Sequence, residues 1–129
     1  MVREVVGAGA LYFAAMFGLG FLLGVVRTLV LEPRLGPAGA VLVEAVPMLA
    51  AMWVVAPWAA RVFSLPRDAA TRLGMGLVGL VLLVAAETVL DALLRGRVMW
   101  AERFHTPEGW IGLALLLAFA LMPVLRRRA

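Results

Sequence analysis

From Val5 to Val26 the chain runs without a single charge. About 20 apolar residues of helix cross the hydrocarbon core of a bilayer. Backbone N–H and C=O groups at that depth must pair within the protein, which leaves helices and closed barrels as the spanning structures. Three further apolar stretches follow, so the expected fold is all-α: one domain covering 1–129, an integral membrane bundle of four transmembrane helices near 5–31, 38–63, 66–94 and 110–125. Composition agrees. At 64% hydrophobic residues and a mean hydropathy of +1.01, a chain this short has too little interior to hide its apolar surface from water. The first stretch is longer than the roughly 7–15-residue core of a secretory signal and reads as an uncleaved span.

The connections are marked by helix breakers and caps. Glu32-Pro33-Arg34-Leu35-Gly36-Pro37 reads as a turn, and Ser64-Leu65-Pro66-Arg67-Asp68 as the next, with Pro66 placed in the first turn of a third helix. Between Arg95 and Gly109, Trp100 and Phe104 stand at i, i+4 among charges, the pattern of a short interfacial helix. Thr106-Pro107-Glu108 supplies a cap, a first-turn proline and an acid matched to the helix dipole. The last span, counted from Trp110 to Leu125, is only about 24 Å long.

All twelve basic residues are arginine, and Lys, Asn, Gln and Cys are absent, which points to a GC-rich coding sequence and so to a bacterium. Arg3, Arg61, Arg67, Arg72, Arg126, Arg127 and Arg128 fall on one side of the expected topology. Arg34, Arg95, Arg97 and Arg103 fall on the other, diluted by Glu32, Glu102 and Glu108. The positive-inside rule places both termini in the cytoplasm of an inner (plasma) membrane protein. Arginines in short loops between apolar spans are topology signals, and no nucleic-acid partner is expected. Lacking Cys, the chain has no disulfide, thiolate nucleophile or thiolate metal site.

Arg27, Glu44, Glu87 and Asp91 lie inside the expected spans. Intramembrane charges are costly, face the bundle interior, pair, and mark candidate functional sites. At about 1.5 Å per helical residue, all four fall within roughly 5–10 Å of the same outer end. Gly20, Gly24 and Arg27 share a stripe of the first helix, and Gly76, Gly79, Leu83 and Glu87 share one on the third. Small residues mark close-packed faces of membrane helices, so the charges are expected on packed faces, with Arg27 bonded to Glu44 or Glu87. Pro47 frees the carbonyl of Val43 and opens space beside Glu44.

The remaining motifs carry less. His105 reads as a solvated loop residue, and no metal or cofactor is expected. Gly74-x-Gly76-x-x-Gly79 spells a dinucleotide fingerprint but lies inside an apolar helix with no preceding strand. The seven methionines are scattered and read as packing. Arg126-Arg127-Arg128 reads as a topology anchor able to meet anionic headgroups.

Two four-helix families offer loose parallels. Small multidrug transporters carry a membrane-embedded Glu in the first helix, where this chain has Arg27. Small fluoride channels share a glycine-rich first helix ending in Arg, like Gly20-x-x-x-Gly24-x-x-Arg27, but their third-helix Phe/Thr/Ser track is missing here. The stretches Gly20-Phe21-Leu22-Leu23-Gly24-Val25-Val26-Arg27, Pro33-Arg34-Leu35-Gly36, Glu44-Ala45-Val46-Pro47-Met48, Arg72-Leu73-Gly74-Met75-Gly76 and Ala86-Glu87 resemble a group of small bacterial four-helix inner-membrane proteins. The group has no assigned activity, so the resemblance implies fold and topology only.

The leading functional expectation is a small non-enzymatic inner-membrane protein. It would act as an accessory subunit in contact with lipid and with a membrane partner or a second copy, its charges forming a clamp in the outer half. The alternative is a proton- or cation-coupled transporter or channel using Glu44 and Glu87. No nucleophile–base pair accompanies the charges, so no catalytic residue is assigned.

Overall fold

The computed structural model describes residues 2–95 and 104–127, with backbone alone for 94 and 95. Helix α1 spans Val2–Val26 and passes through a π turn, Arg27–Leu31, into α2, Glu32–Val62. Helix α3 is Ala69–Arg95 and α4 is Pro107–Leu125. Three helical stretches are long and apolar enough to cross a membrane: Val2–Val62, Ala69–Leu93 and Pro107–Leu125. The interfacial helix expected around Trp100 lies outside the described residues.

The first stretch is not one rod. A straight helix of 61 residues would be about 90 Å long, yet a side chain added at Gly7 would overlap the Phe63 ring, and Gly20 faces Met48. The chain doubles back at Gly36, whose φ of 78° and ψ of 167° interrupt α2. That combination is essentially confined to glycine, and Pro37 then opens the returning helix with φ already set. The expected turn at 32–37 is thus almost wholly helical, its reversal concentrated in one residue.

The other boundaries also shift. The second turn closes in a Schellman arrangement: the Leu65 N–H bonds the Ala60 carbonyl at 3.0 Å and the Ser64 N–H bonds Arg61 at 3.0 Å. Ser64 occupies the left-handed position with φ 52° and Leu65 is buried, as this motif requires. Helix α3 begins at Ala69 and not at Pro66. Asp68 is its cap, accepting from the Thr71 N–H at 2.9 Å and the Thr71 hydroxyl at 2.8 Å. Those bonds hold the Asp68 carboxyl below the usual carboxylate range, so the cap is strongest above that range and weakens as pH falls through it. Helix α4 starts at Pro107 and not at Trp110. Thr106 caps it by accepting from the Gly109 N–H at 3.1 Å, and its 19 residues give about 28 Å, close to bilayer thickness.

Helices α1 and α4 each pack against both α2 and α3, so the order around the bundle is α1, α2, α4, α3. Val5 meets Gly74 and Gly9 meets Val78, which makes α1 and α3 parallel neighbours. Backbone approaches backbone here: a methyl group on Gly76 would overlap the Ala120 carbonyl, and one on Gly9 would sit 2.8 Å from the Met75 carbonyl oxygen. The Gly74-x-Gly76-x-x-Gly79 motif is therefore a packing face. Tyr12, Met16, Met52, Met75 and Phe119 fill the core beside it.

Proline accounts for two long-range hydrogen bonds. Pro123 and Pro57 lack an N–H, leaving the carbonyls four residues earlier, Phe119 and Trp53, without their helical donors. Tyr12 donates its hydroxyl to Phe119 at 2.7 Å, its ring stacked on the Phe119 ring with centroids 4.2 Å apart. Arg126 donates Nε–H to Trp53 at 3.0 Å and lays its guanidinium over the Trp53 ring, 4.1 Å from the centroid.

Two outcomes test this account. Gly36→Ala meets no neighbouring atom within 4 Å, so its expected cost of about 1–3 kcal/mol is purely conformational, measurable by unfolding in mixed micelles. Tyr12→Phe is expected to cost about 1–3 kcal/mol by orphaning the Phe119 carbonyl. In a Pro123→Ala background, where the restored N–H serves that carbonyl, Tyr12→Phe should cost less than half as much.

Candidate functional site

Beyond the glycine contacts the helices part. At the end of the bundle that carries the π turn lies a cavity of about 890 Å3. Its apolar wall includes Phe17, Phe21, Leu83 and Leu116, and its floor is Met16, Met52 and Phe119, all three buried. The polar lining is acidic. Among the described residues, Glu32, Glu44, Glu87, Asp91 and Glu108 face one guanidinium, that of Arg27.

All four charges singled out in the sequence line this cavity. Arg27 donates from Nη1 to Glu44 Oε2 at 2.6 Å, joining α2 to the end of α1. Its Nε lies 3.8 Å from Glu32 Oε1, an ion pair too long for a hydrogen bond, and that buried nitrogen has no hydrogen-bond partner. Arg27 and Glu32 are about one-third exposed, whereas the Glu44 side chain is only 10% exposed. Glu44 is therefore the best-shielded of the three, and the guanidinium sits between it and the more open Glu32.

Local structure explains the pairing. In a π turn the backbone bonds run from i to i+5, and the Glu32 N–H bonds the Arg27 carbonyl. Residues five apart are thereby drawn together, which brings Glu32 back to Arg27. Ordinary helical spacing gives no sign of this, so sequence reasoning left Glu32 in a turn. The π turn ends where Pro33 removes the next backbone donor, and that proline is the one local signal of a shift in hydrogen-bond register.

Helix α3 presents Glu87 and Asp91 one turn apart, above Gly76 and Gly79. The predicted stripe thus changes role along its length, from helix contact to cavity wall. On α1 the expectation is corrected: Gly9 makes the close contact, while Gly20 and Gly24 line the cavity. A Cβ added at either would meet only Met48 at 3.5 Å or Arg27 at 3.9 Å. Thr106 and Glu108 join from the start of α4, residues read in the sequence as cap and dipole partner only. His105 is exposed. Among the described residues, no three histidines or carboxylates are grouped so as to hold a metal ion.

Comparison with known proteins adds no relative: no family model, curated protein or solved structure matches this chain.

The ion pair carries an energetic test. Breaking a buried pair by removing one partner typically costs about 3–5 kcal/mol, while replacing both with apolar groups is often neutral or stabilising. Partial exposure of Arg27 reduces the loss here, so Arg27→Ala should destabilise by about 1–3 kcal/mol. Arg27→Met with Glu44→Leu should recover most of it in the same unfolding assay.

Proposed function

We propose that this chain is a non-enzymatic protein of a bacterial inner membrane that crosses the bilayer four times, both termini cytoplasmic, and binds cations in its outer half. The reversal at Gly36 divides the 61-residue stretch into two lengths that each suffice to span. The excess of arginines at the termini and in the 61–72 region then sets the orientation. The glycine-packed core occupies the cytoplasmic half and the cavity faces outward.

One observation carries the binding function: an acidic cavity built into an apolar bundle. Pockets of roughly 300–1,000 Å3 with apolar walls and a few placed polar groups are the usual form of small-molecule sites. Among the described residues, five carboxylates and one guanidinium line the cavity, which favours a positive ligand. The Arg27–Glu44 bond at 2.6 Å supports a second reading, in which the charges serve only to hold α1 and α2 together within an accessory subunit. A clamp of Arg27 with Glu44 and Glu32 leaves Asp91 and Glu108 without a part in it.

Two measurements check the proposal. A fluorescent protein fused after Ala129 should fluoresce, and a periplasm-dependent phosphatase fused there should be inactive; the opposite pattern would invert the topology. Equilibrium dialysis of tetraphenylphosphonium against the protein in lipid nanodiscs should show saturable binding that weakens at least about tenfold when Asp91→Asn and Glu108→Gln are combined, one decade being about 1.4 kcal/mol. Absence of saturable binding would leave the clamp reading.

A further inference from the structure

The cavity holds one acceptor atom whose surroundings narrow the ligand. Glu44 is 91% buried as a residue, and one of its carboxylate oxygens, Oε2, is taken by Arg27. The other, Oε1, accepts no hydrogen bond among the described residues. A carboxylate has room for about four donors, and Oε1, which has no partner yet is not a fully buried atom, keeps that capacity open. Glu44 lines the cavity, so that lone-pair capacity faces space a ligand can enter. Asp91, across the cavity on α3, also accepts no hydrogen bond among the described residues. Glu87, by contrast, is engaged.

Both features of the cavity point the same way. A bare metal ion would want several oxygen ligands converging on a point, and the described carboxylates form no such group. Below Glu44 the lining turns to thioether and aromatic carbon, with Met48, Met52, Met16 and Phe119 reaching the floor. Methionine and phenylalanine favour a polarisable apolar body. We infer that the ligand is a protonated organic amine with an apolar body, its N–H group donating to Glu44 Oε1 and its hydrocarbon part seated on the Met16–Met52–Phe119 floor. The inference rests on the cation-binding reading and adds to it the need for an N–H donor and an apolar body.

The arrangement gives Arg27 a part in selectivity. Because its guanidinium already neutralises one side of Glu44, the remaining oxygen offers a hydrogen bond more than a full negative charge. A quaternary ammonium cannot use it, having no N–H, and keeps only the general attraction of the acidic wall.

The test compares three ligands of one shape, 4-phenylbutylamine, its N,N,N-trimethyl derivative and 4-phenylbutanol, by calorimetric titration of the protein in nanodiscs at fixed ionic strength. The amine is expected to bind about tenfold more tightly than the quaternary ion and the alcohol more weakly than either, a decade corresponding to one charge-assisted hydrogen bond. In Glu44→Leu, and in Arg27→Met with Glu44→Leu should the single variant not fold, the amine's advantage over the quaternary ion should vanish. Equal binding of amine and quaternary ion to the wild type would overturn the N–H inference and leave the cation-binding site standing. Binding of the alcohol as tight as that of the amine, or binding of none of the three, would overturn both.

Discussion

Backbone touching backbone at Gly76 and Gly9 is the contact on which the rest of the bundle depends. Without a Cβ on either glycine, α3 can lie against the Ala120 carbonyl on one side and α1 on the other. In a bilayer, where lipid tails are as apolar as leucine, such close approach replaces the hydrophobic effect as the source of helix association. It draws three helices together over one half of their length and leaves them free to separate over the other. The cavity is the consequence: the same helices that meet at Gly76 and Gly79 are held apart at Leu83, Glu87 and Asp91 by side chains of ordinary size.

Polar groups follow the same economy. Each carbonyl stripped of its donor by Pro123 or Pro57 receives a replacement from another helix, Tyr12 in one case and Arg126 in the other. These bonds fix registry, since a donor must arrive at a particular carbonyl, and they sit on the floor and at the terminal end of the bundle. Near the opposite end, the single described cation of the cavity is shared between Glu44 and Glu32. The two halves thus differ in kind. One is closed by direct helix contact, while the other carries more acceptors than the described residues supply donors.

Much of this could be read from the chain because its signals are local. Thr106, Pro107 and the apolar run behind them mark a helix start by capping chemistry alone, and Gly36 beside Pro37 marks a reversal. The placing of Arg27, Glu44, Glu87 and Asp91 at one depth needs only helical rise. What escaped reading depends on distance in sequence or on a change of period. Gly9 and Gly20 look alike on a helical wheel, and only the position of α3 decides which is a contact and which a cavity wall. The π turn moved Glu32 onto Arg27 by breaking the very periodicity used to assign faces. Tyr12 stood within an apolar run with no sign that its hydroxyl answered a proline more than a hundred residues away. Glu108 was explained by its helix dipole, and that sufficient local reason hid its second place in the cavity.

On this account the half of the bundle beside the π turn holds a cavity of negative potential open to solution. The chain has no cysteine, so single substitutions report cleanly. Leu116 lines the cavity, while its neighbour Leu117 is 62% exposed on the outer surface of the helix. With Leu116→Cys in right-side-out vesicles, a cationic membrane-impermeant thiosulfonate should react about 10-fold or more faster than an anionic one, as a charged cleft focuses ions of opposite sign. Leu117→Cys, facing lipid, should react with neither. Equal rates for the two reagents at Leu116→Cys, or no reaction there at all, would contradict the claim.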